Sequence, residues 1–158
     1  MLAVTRIKTP WSPLTIIADN DCVVSSWFGE QSHHPVACDE PIRKTRSIDG
    51  VTEAVGAWLD GDLSSLDQVK VRQSGGPFFE QVWTVMREVS AGETVSYGEL
   101  AMLAGRPRAA RAVGTACATN SVAPFVPCHR VVTATGRIGA YGYGVELKAA
   151  LLRHEGAI

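Results

Sequence analysis

Gln73-Ser74-Gly75-Gly76-Pro77 limits how this chain can fold more than any other stretch. Two glycines, a proline and polar neighbours continue neither a strand nor a helix, so they mark a join between separately folding parts. The two sides of the join have different periodicities. Before it, Val4–Lys8, Leu14–Ala18 and Cys22–Phe28 are β-rich runs separated by Pro10-Trp11-Ser12-Pro13 and Asp19-Asn20-Asp21. That order predicts a small antiparallel meander. Val51, Val55, Trp58 and Leu59 recur at helical spacing, which predicts one amphipathic helix over residues 47–60, stopped by Asp60-Gly61 and lying against the strands. The expected domains are 1–74 and 75–158.

Beyond the join the pattern is helical. Phe78, Phe79, Val82, Trp83, Met86 and Val89 form a wide apolar stripe, read as core. Ser96 and Glu99 have the spacing of a capping box, so a short helix is expected through Leu100 and Leu103. Ala104-Gly105-Arg106 then turns, and Pro107 suits the first position of another helix. Helix, tight turn and helix across 97–119 is the layout of a helix-turn-helix, whose second helix enters a DNA groove. On that helix Ala110, Val113 and Cys117 fall inward, whereas Arg108, Arg111, Thr115 and Ala118 share the outer side. The same composition suits an ordinary alanine-rich helix with solvated arginines.

Chemistry points to Pro127-Cys128-His129-Arg130. A thiol is a nucleophile only as thiolate, which a cation or a hydrogen-bond relay must stabilise, and His129 and Arg130 are the adjacent candidates. In an extended strand neighbouring side chains point to opposite faces, so His129 would need a turn or a bridging water to act on Cys128. The tetrapeptide alone suits an inert buried cysteine equally well. The four cysteines are too few and too scattered for a disulfide framework, and the N-terminus lacks the order of a signal peptide, which leads to the expectation of a cytoplasmic protein with free thiols. Apolar runs are too short for a membrane span. Residues 1–76 hold 7 Lys/Arg and 10 Asp/Glu, and residues 77–158 hold 8 and 6, so the second half is the better match for an anionic partner. Cys22, His33, His34 and Cys38 lack zinc-ligand spacing, and no metal is expected.

The ordered set Ser96-Tyr97, Arg106-Pro107-x-Ala109-Ala110-Arg111-Ala112-Val113-Gly114, Asn120, Val126-Pro127-Cys128-His129-Arg130-Val131-Val132, Gly139-x-Tyr141-x-x-Gly144 and Leu151-Leu152-x-His154-Glu155-Gly156 resembles the O6-alkylguanine-DNA alkyltransferases. That family moves an alkyl group from damaged guanine onto its own cysteine. The resemblance covers most of 77–156, and Ser12-Pro13-Leu14-Thr15 is similar to the family's opening hairpin. It implies an α+β fold, with a ribonuclease H-like N-terminal domain and a mostly helical winged helix-turn-helix domain. It also implies that Cys128 is the acceptor and that His129, Asn120 and Glu155 activate it, with a water between His129 and the thiol. Tyr97 would bond the ring nitrogen of the extruded guanine. Val131, Tyr141 and Gly142 would line its edge, Arg111 would fill the gap in the duplex, and Arg108, Thr115 and Arg130 would contact DNA. The implied partner is double-stranded DNA with alkylated bases, including O4-alkylthymine as a further lesion. The implied protein is a single-turnover monomer, able to cluster on DNA, with no cofactor.

Two departures stand against this pattern. Ser121 replaces the family's usual proline, and Tyr143 precedes Gly144 where paired glycines are common, which would narrow the pocket towards small alkyl groups. Two other functions compete: a lesion-binding relative that does not repair, against which Cys128 argues, and a Cys-His hydrolase, for which no oxyanion hole is identifiable.

Overall fold

The computed structural model describes residues 1–30 and 41–158, and its contacts divide them into two units. The first comprises Met1–Gln73 together with Ser121–Phe125, and the second Ser74–Asn120 together with Val126–Ile158. His33, His34 and Cys38, on which the metal question turned, lie outside the described residues.

In the first unit, β1 (Leu2–Ile7), β2 (Leu14–Asp19) and β3 (Cys22–Phe28) pair antiparallel in chain order. Asn20, at φ 55°, takes the left-handed conformation in the two-residue turn between β2 and β3, which a short polar side chain tolerates. The sheet is mixed rather than a simple meander. β4 (Ile42–Lys44) joins β1 in parallel and β5 (Lys70–Val71) joins β3 in parallel, giving the order β4-β1-β2-β3-β5. Its central strand is covered on both faces: Ile16, Ile17 and Ala18 are consecutive and all buried. α1 spans Val51–Leu59, shorter than the 47–60 expected, because Gly50 turns at φ 80° and its amide donates to Glu53 Oε2 at 2.7 Å. Val51, Val55 and Trp58 are its buried stripe, and the Trp58 ring packs 5.8 Å from Trp11.

Ser121–Phe125 corrects the expectation that all of 75–158 forms the second domain. β5 pairs with β3 only at Cys22 and Val23, so the edge of β3 near Ser26 is open to another segment. The 121–125 stretch takes it: Ser26 N donates to Ser121 O at 2.8 Å and Ser26 Oγ to Ala123 O at 2.6 Å. Ser121 N in turn donates to Gln73 Oε1 at 3.0 Å, and Val122, Ala123 and Phe125 are buried.

The second unit contains α2 (Pro77–Met86), β6 (Val95–Ser96), α3 (Tyr97–Leu103), α4 (Ala110–Ala118), β7 (Val131–Val132) and α5 (Val145–His154). A Cβ on Gly75 would run into the Trp83 ring, so close packing as well as turn chemistry asks for glycine there. Trp83 Nε1 donates to Ala116 O at 2.9 Å and ties α2 to α4. The expected capping box is present: Glu99 N donates to Ser96 Oγ at 3.0 Å, and Ser96 N to Glu99 Oε1 at 3.1 Å. Pro107 does not open α4. Ala109 N closes a separate turn on Arg106 O at 3.0 Å, and the helix starts after it. The buried residues of α4 are Val113 and Ala116, with Ala110 and Cys117 half-buried beside them. β6 and β7 pair in parallel, Val95 with Val131 and Ser96 with Val132, which brings the start of α3 beside the chain leaving Cys128.

Candidate active site

Cys128 opens a single 3-10 turn, Cys128–Arg130, rather than lying in an extended strand. Arg130 N donates to Pro127 O at 2.9 Å, and Cys128, His129 and Arg130 are all buried. Asn120, just past α4, is the first partner of the thiol. Its Nδ2 donates to Cys128 Sγ at 3.3 Å and to Val126 O at 2.8 Å, using both hydrogens of the amide. The second bond also ties the two ends of the 121–125 excursion within this unit.

Glu155, at the C-terminal end of α5, collects the rest of the turn. Oε1 accepts from His129 Nε2 at 2.8 Å and from Arg130 Nε at 2.9 Å, and Oε2 accepts from Arg130 Nη2 at 2.7 Å. Burial alone would raise the Glu155 carboxyl, but the hydrogen bonds from Arg130 and then His129 outweigh it and hold the group far below the usual carboxylate range. An ionised carboxylate only accepts, so His129 Nε2 carries a proton. Burial pulls the His129 pKa down, which makes the ring neutral at pH 7 and leaves Nδ1 as its basic nitrogen. Nδ1 is buried, with no hydrogen-bond partner among the described residues.

These directions fix how stability responds to acid. Both groups have a lower pKa in the fold than in the unfolded chain, so the unfolded chain takes up protons more readily. Stability is fully present above the ordinary histidine value of about 6.5, and is lost in two steps as pH falls through that range and then through about 4.3. Thermal melts between pH 8 and pH 4 are expected to give a constant midpoint at the alkaline end and a falling one below neutrality. A midpoint that rises between pH 7 and pH 5.5 would mean that His129 is charged in the fold.

Arg130 is not available to DNA, which corrects its expected role. Its guanidinium is 2% exposed, bidentate on Glu155, and its Nη1 donates to Val89 O at 2.6 Å. All three of its nitrogens are bonded inside the domain, and a guanidinium buried to this extent offers no N–H to a phosphate. By contrast, Arg108, Arg111 and Thr115 are exposed, the last two on α4, although the Thr115 hydroxyl donates to its own helix at Arg111 O, 3.2 Å away.

Tyr97 begins α3, half-buried, and burial together with the neighbouring thiols Cys117 and Cys128 raises its hydroxyl pKa, so it is a proton donor at neutral pH. The rings of Tyr141 and Tyr143 meet edge to face at 5.3 Å, and the Tyr141 hydroxyl is buried with no partner among the described residues. Gly142 between them is exposed. Val131 offers its carbonyl, but that oxygen already accepts from Lys148 Nζ at 2.6 Å. Lys148 was missed in the sequence. Its one signal is position: it falls on the face of α5 that carries the buried Leu151 and Leu152, where a lysine is out of place. No group of residues able to hold a metal occurs among the described residues, and no helix is long and apolar enough to cross a membrane.

Residues 77–157 match the model of the 6-O-methylguanine DNA methyltransferase DNA-binding domain family. A methylated-DNA–protein-cysteine methyltransferase of Methanosarcina acetivorans is 44% identical over 150 residues, 95% of this chain and 96% of that protein. The crystal structure of the Mycobacterium tuberculosis O6-methylguanine methyltransferase superposes with a TM-score of 0.85 at 33% identity, covering 99% of this chain and 94% of that one. Its complex with DNA gives a TM-score of 0.83 at 32% identity, covering 98% and 93%.

Proposed function

Because the chain belongs to the methylated-DNA–protein-cysteine methyltransferase family, we propose that Cys128 takes the alkyl group of O6-alkylguanine in double-stranded DNA and keeps it as a thioether. The protein is a DNA-repair methyltransferase. The observation that carries the assignment to Cys128 is the buried chain in which Asn120 donates to its sulfur while Glu155 sets the tautomer of the adjacent His129.

The step is a displacement at carbon: sulfur forms the new C–S bond, the C–O bond breaks, and its electron pair goes to the guanine oxygen. His129 Nδ1 accepts the thiol proton through a water. Tyr97 donates to the ring nitrogen, so the base leaves neutral. Duplex DNA hides the alkyl carbon, so the base is extruded at a cost of a few kcal/mol, which Arg111 partly offsets by filling the gap. Tyr141, Gly142 and the Val131 backbone line the base pocket, Tyr143 narrows it towards small groups, and Arg108 and Thr115 hold the DNA backbone. O4-alkylthymine is the second lesion of this reading. The protein acts as a monomer and each molecule acts once, since nothing returns the thioether to a thiol.

Incubation with a duplex containing O6-methylguanine, followed by peptide mass mapping, tests this. One methyl on the peptide carrying Cys128, reaching one per protein and no more, is expected. Binding without methylation would favour a lesion-binding protein, and methylation at another cysteine would remove the assignment. Arg111→Ala is expected to slow reaction with duplex at least about tenfold while changing reaction with the free alkylated base less than about twofold. Equal losses on both substrates would contradict the gap-filling role.

A further inference from the structure

The chain leaves the first unit after Gln73, returns to it after Asn120 and leaves it again after Phe125. Side chains bond at these joints. Gln73 Oε1 accepts from Ser121 N at 3.0 Å and from Ser121 Oγ at 3.1 Å, so the last residue of one stretch holds the first residue of the next. A carbonyl oxygen has two lone pairs, enough for both donors. Ser121 O in turn accepts from Ser26 N at 2.8 Å, and Ser121 is thereby gripped at its amide, its hydroxyl and its carbonyl.

The residue this grip constrains is Asn120. Asn120 shares a planar peptide with Ser121, so an N–H held on Gln73 sets that plane, and with it the direction in which the Asn120 Cα presents its side chain. A proline at 121 would lock its own φ and have no N–H to give. Serine does neither, and here two hydrogen bonds supply the stiffness that its backbone lacks. The far end of the Asn120 side chain donates to Cys128 Sγ at 3.3 Å and to Val126 O at 2.8 Å. We propose that Gln73 is a positioning residue for the transfer reaction, which clasps Ser121 and so keeps the Asn120 amide on the Cys128 sulfur. This rests on Cys128 being the alkyl acceptor.

The bond being kept matters to the thiol. Burial pushes Cys128 up, and the Asn120 hydrogen bond is the strongest pull back towards the anion, so an amide that swings off the sulfur costs thiolate. Such a swing need not unfold anything. The shorter bond to Val126 O can persist while the longer one to sulfur is lost. The clasp therefore predicts a local loosening at Asn120 that is separable from stability.

The test follows the Asn120 side-chain amide by NMR, as the exchange of its protons with solvent, which needs neither DNA nor alkyl transfer. Gln73→Ala removes the acceptor and is expected to speed that exchange at least about fivefold and to slow methyl transfer from duplex at least about threefold, as the loss of one or two hydrogen bonds allows. Gln73→Glu keeps an acceptor oxygen and is expected to stay within about twofold of wild type in both. In a Ser121→Pro background, which offers neither N–H nor hydroxyl, Gln73→Ala is expected to change neither rate by more than about twofold. Exchange in folded Gln73→Ala within about twofold of wild type overturns the proposal, even if the melting temperature falls. Faster exchange with unchanged transfer overturns it too, because the clasp would then not serve the reaction. So does equal acceleration in the Ala and Glu variants, or an undiminished effect of Gln73→Ala beside proline, since Gln73 would then act by some route other than its bonds to Ser121. Should Gln73→Ala melt without cooperativity, Gln73→Met takes its place with the same expected changes. Wild-type protein that fails to take methyl from DNA would sink the alkyl-acceptor reading, while amide exchange would still decide whether Gln73 holds Asn120.

Discussion

Cys128→Ser is expected to abolish methyl transfer, by more than about a thousandfold, while leaving affinity for DNA within about twofold. The hydroxyl is nearly isosteric with the thiol, and Asn120 Nδ2, which donates to the sulfur at 3.3 Å, can donate equally to an oxygen. The buried site is therefore kept, and the protein should melt within a few degrees of wild type. What is lost is the anion. Burial pushes the Cys128 thiol up, but the Asn120 hydrogen bond pulls it back towards the anion, and an alcohol starts so much higher that the same surroundings give it no anion at neutral pH. Methyl counting on the protein after incubation with methylated duplex, beside a gel-shift titration, separates the two effects. Transfer by the serine variant at a tenth of the wild-type rate would exclude Cys128 as the nucleophile.

The largest loss of stability is expected from Glu155→Ala. Both carboxylate oxygens are engaged, by Arg130 through two nitrogens and by His129, and the side chains involved are 0–2% exposed. Removing the carboxylate leaves the Arg130 charge buried and uncompensated, which costs about 3–5 kcal/mol. It also frees His129 Nε2, so the ring loses the bond that keeps Nδ1 basic, and transfer should slow even in protein that remains folded. The double variant Arg130→Met with Glu155→Leu removes both charges and is expected to regain most of the stability without the activity. Urea denaturation of the three proteins checks the argument. A loss below about 1 kcal/mol in Glu155→Ala would mean that the pair is solvated, and a double variant no better than the single one would mean that packing, not charge, carries the effect.

Much of this was legible along the chain because it depends on local rules. The capping box at Ser96 and Glu99, the turn at Asp19-Asn20-Asp21 and the two helices after Ser96 follow from short-range spacing, and the fold supplies the bonds that those spacings ask for. Helix ends were less legible. α1 begins later than its apolar pattern suggests because Gly50 adopts a positive φ, and α4 begins beyond Pro107 because Arg106–Ala109 closes its own turn. Both depend on backbone conformations that residue type permits but does not impose.

Long-range partners decided the rest. The family resemblance assigns Arg130 to DNA, yet a carboxylate 25 residues away takes two of its nitrogens and the Val89 carbonyl takes a third. Ser121–Phe125 has no periodicity that sends it to the first unit, and it goes there because Ser26 on β3 has an edge to fill. Lys148 sits in an unremarkable helix, and only the meeting of α5 with the Val131 and Ala140 carbonyls makes it part of the site. Where strands and helices run, and that Cys128 is the candidate nucleophile, can be read along the chain, because apolar periodicity, capping and the chemistry of a thiol beside an imidazole act within a few residues. Which charges are buried, and which partner neutralises each, follows from the packing of distant segments, because desolvation depends on everything packed around a group rather than on its neighbours in the chain.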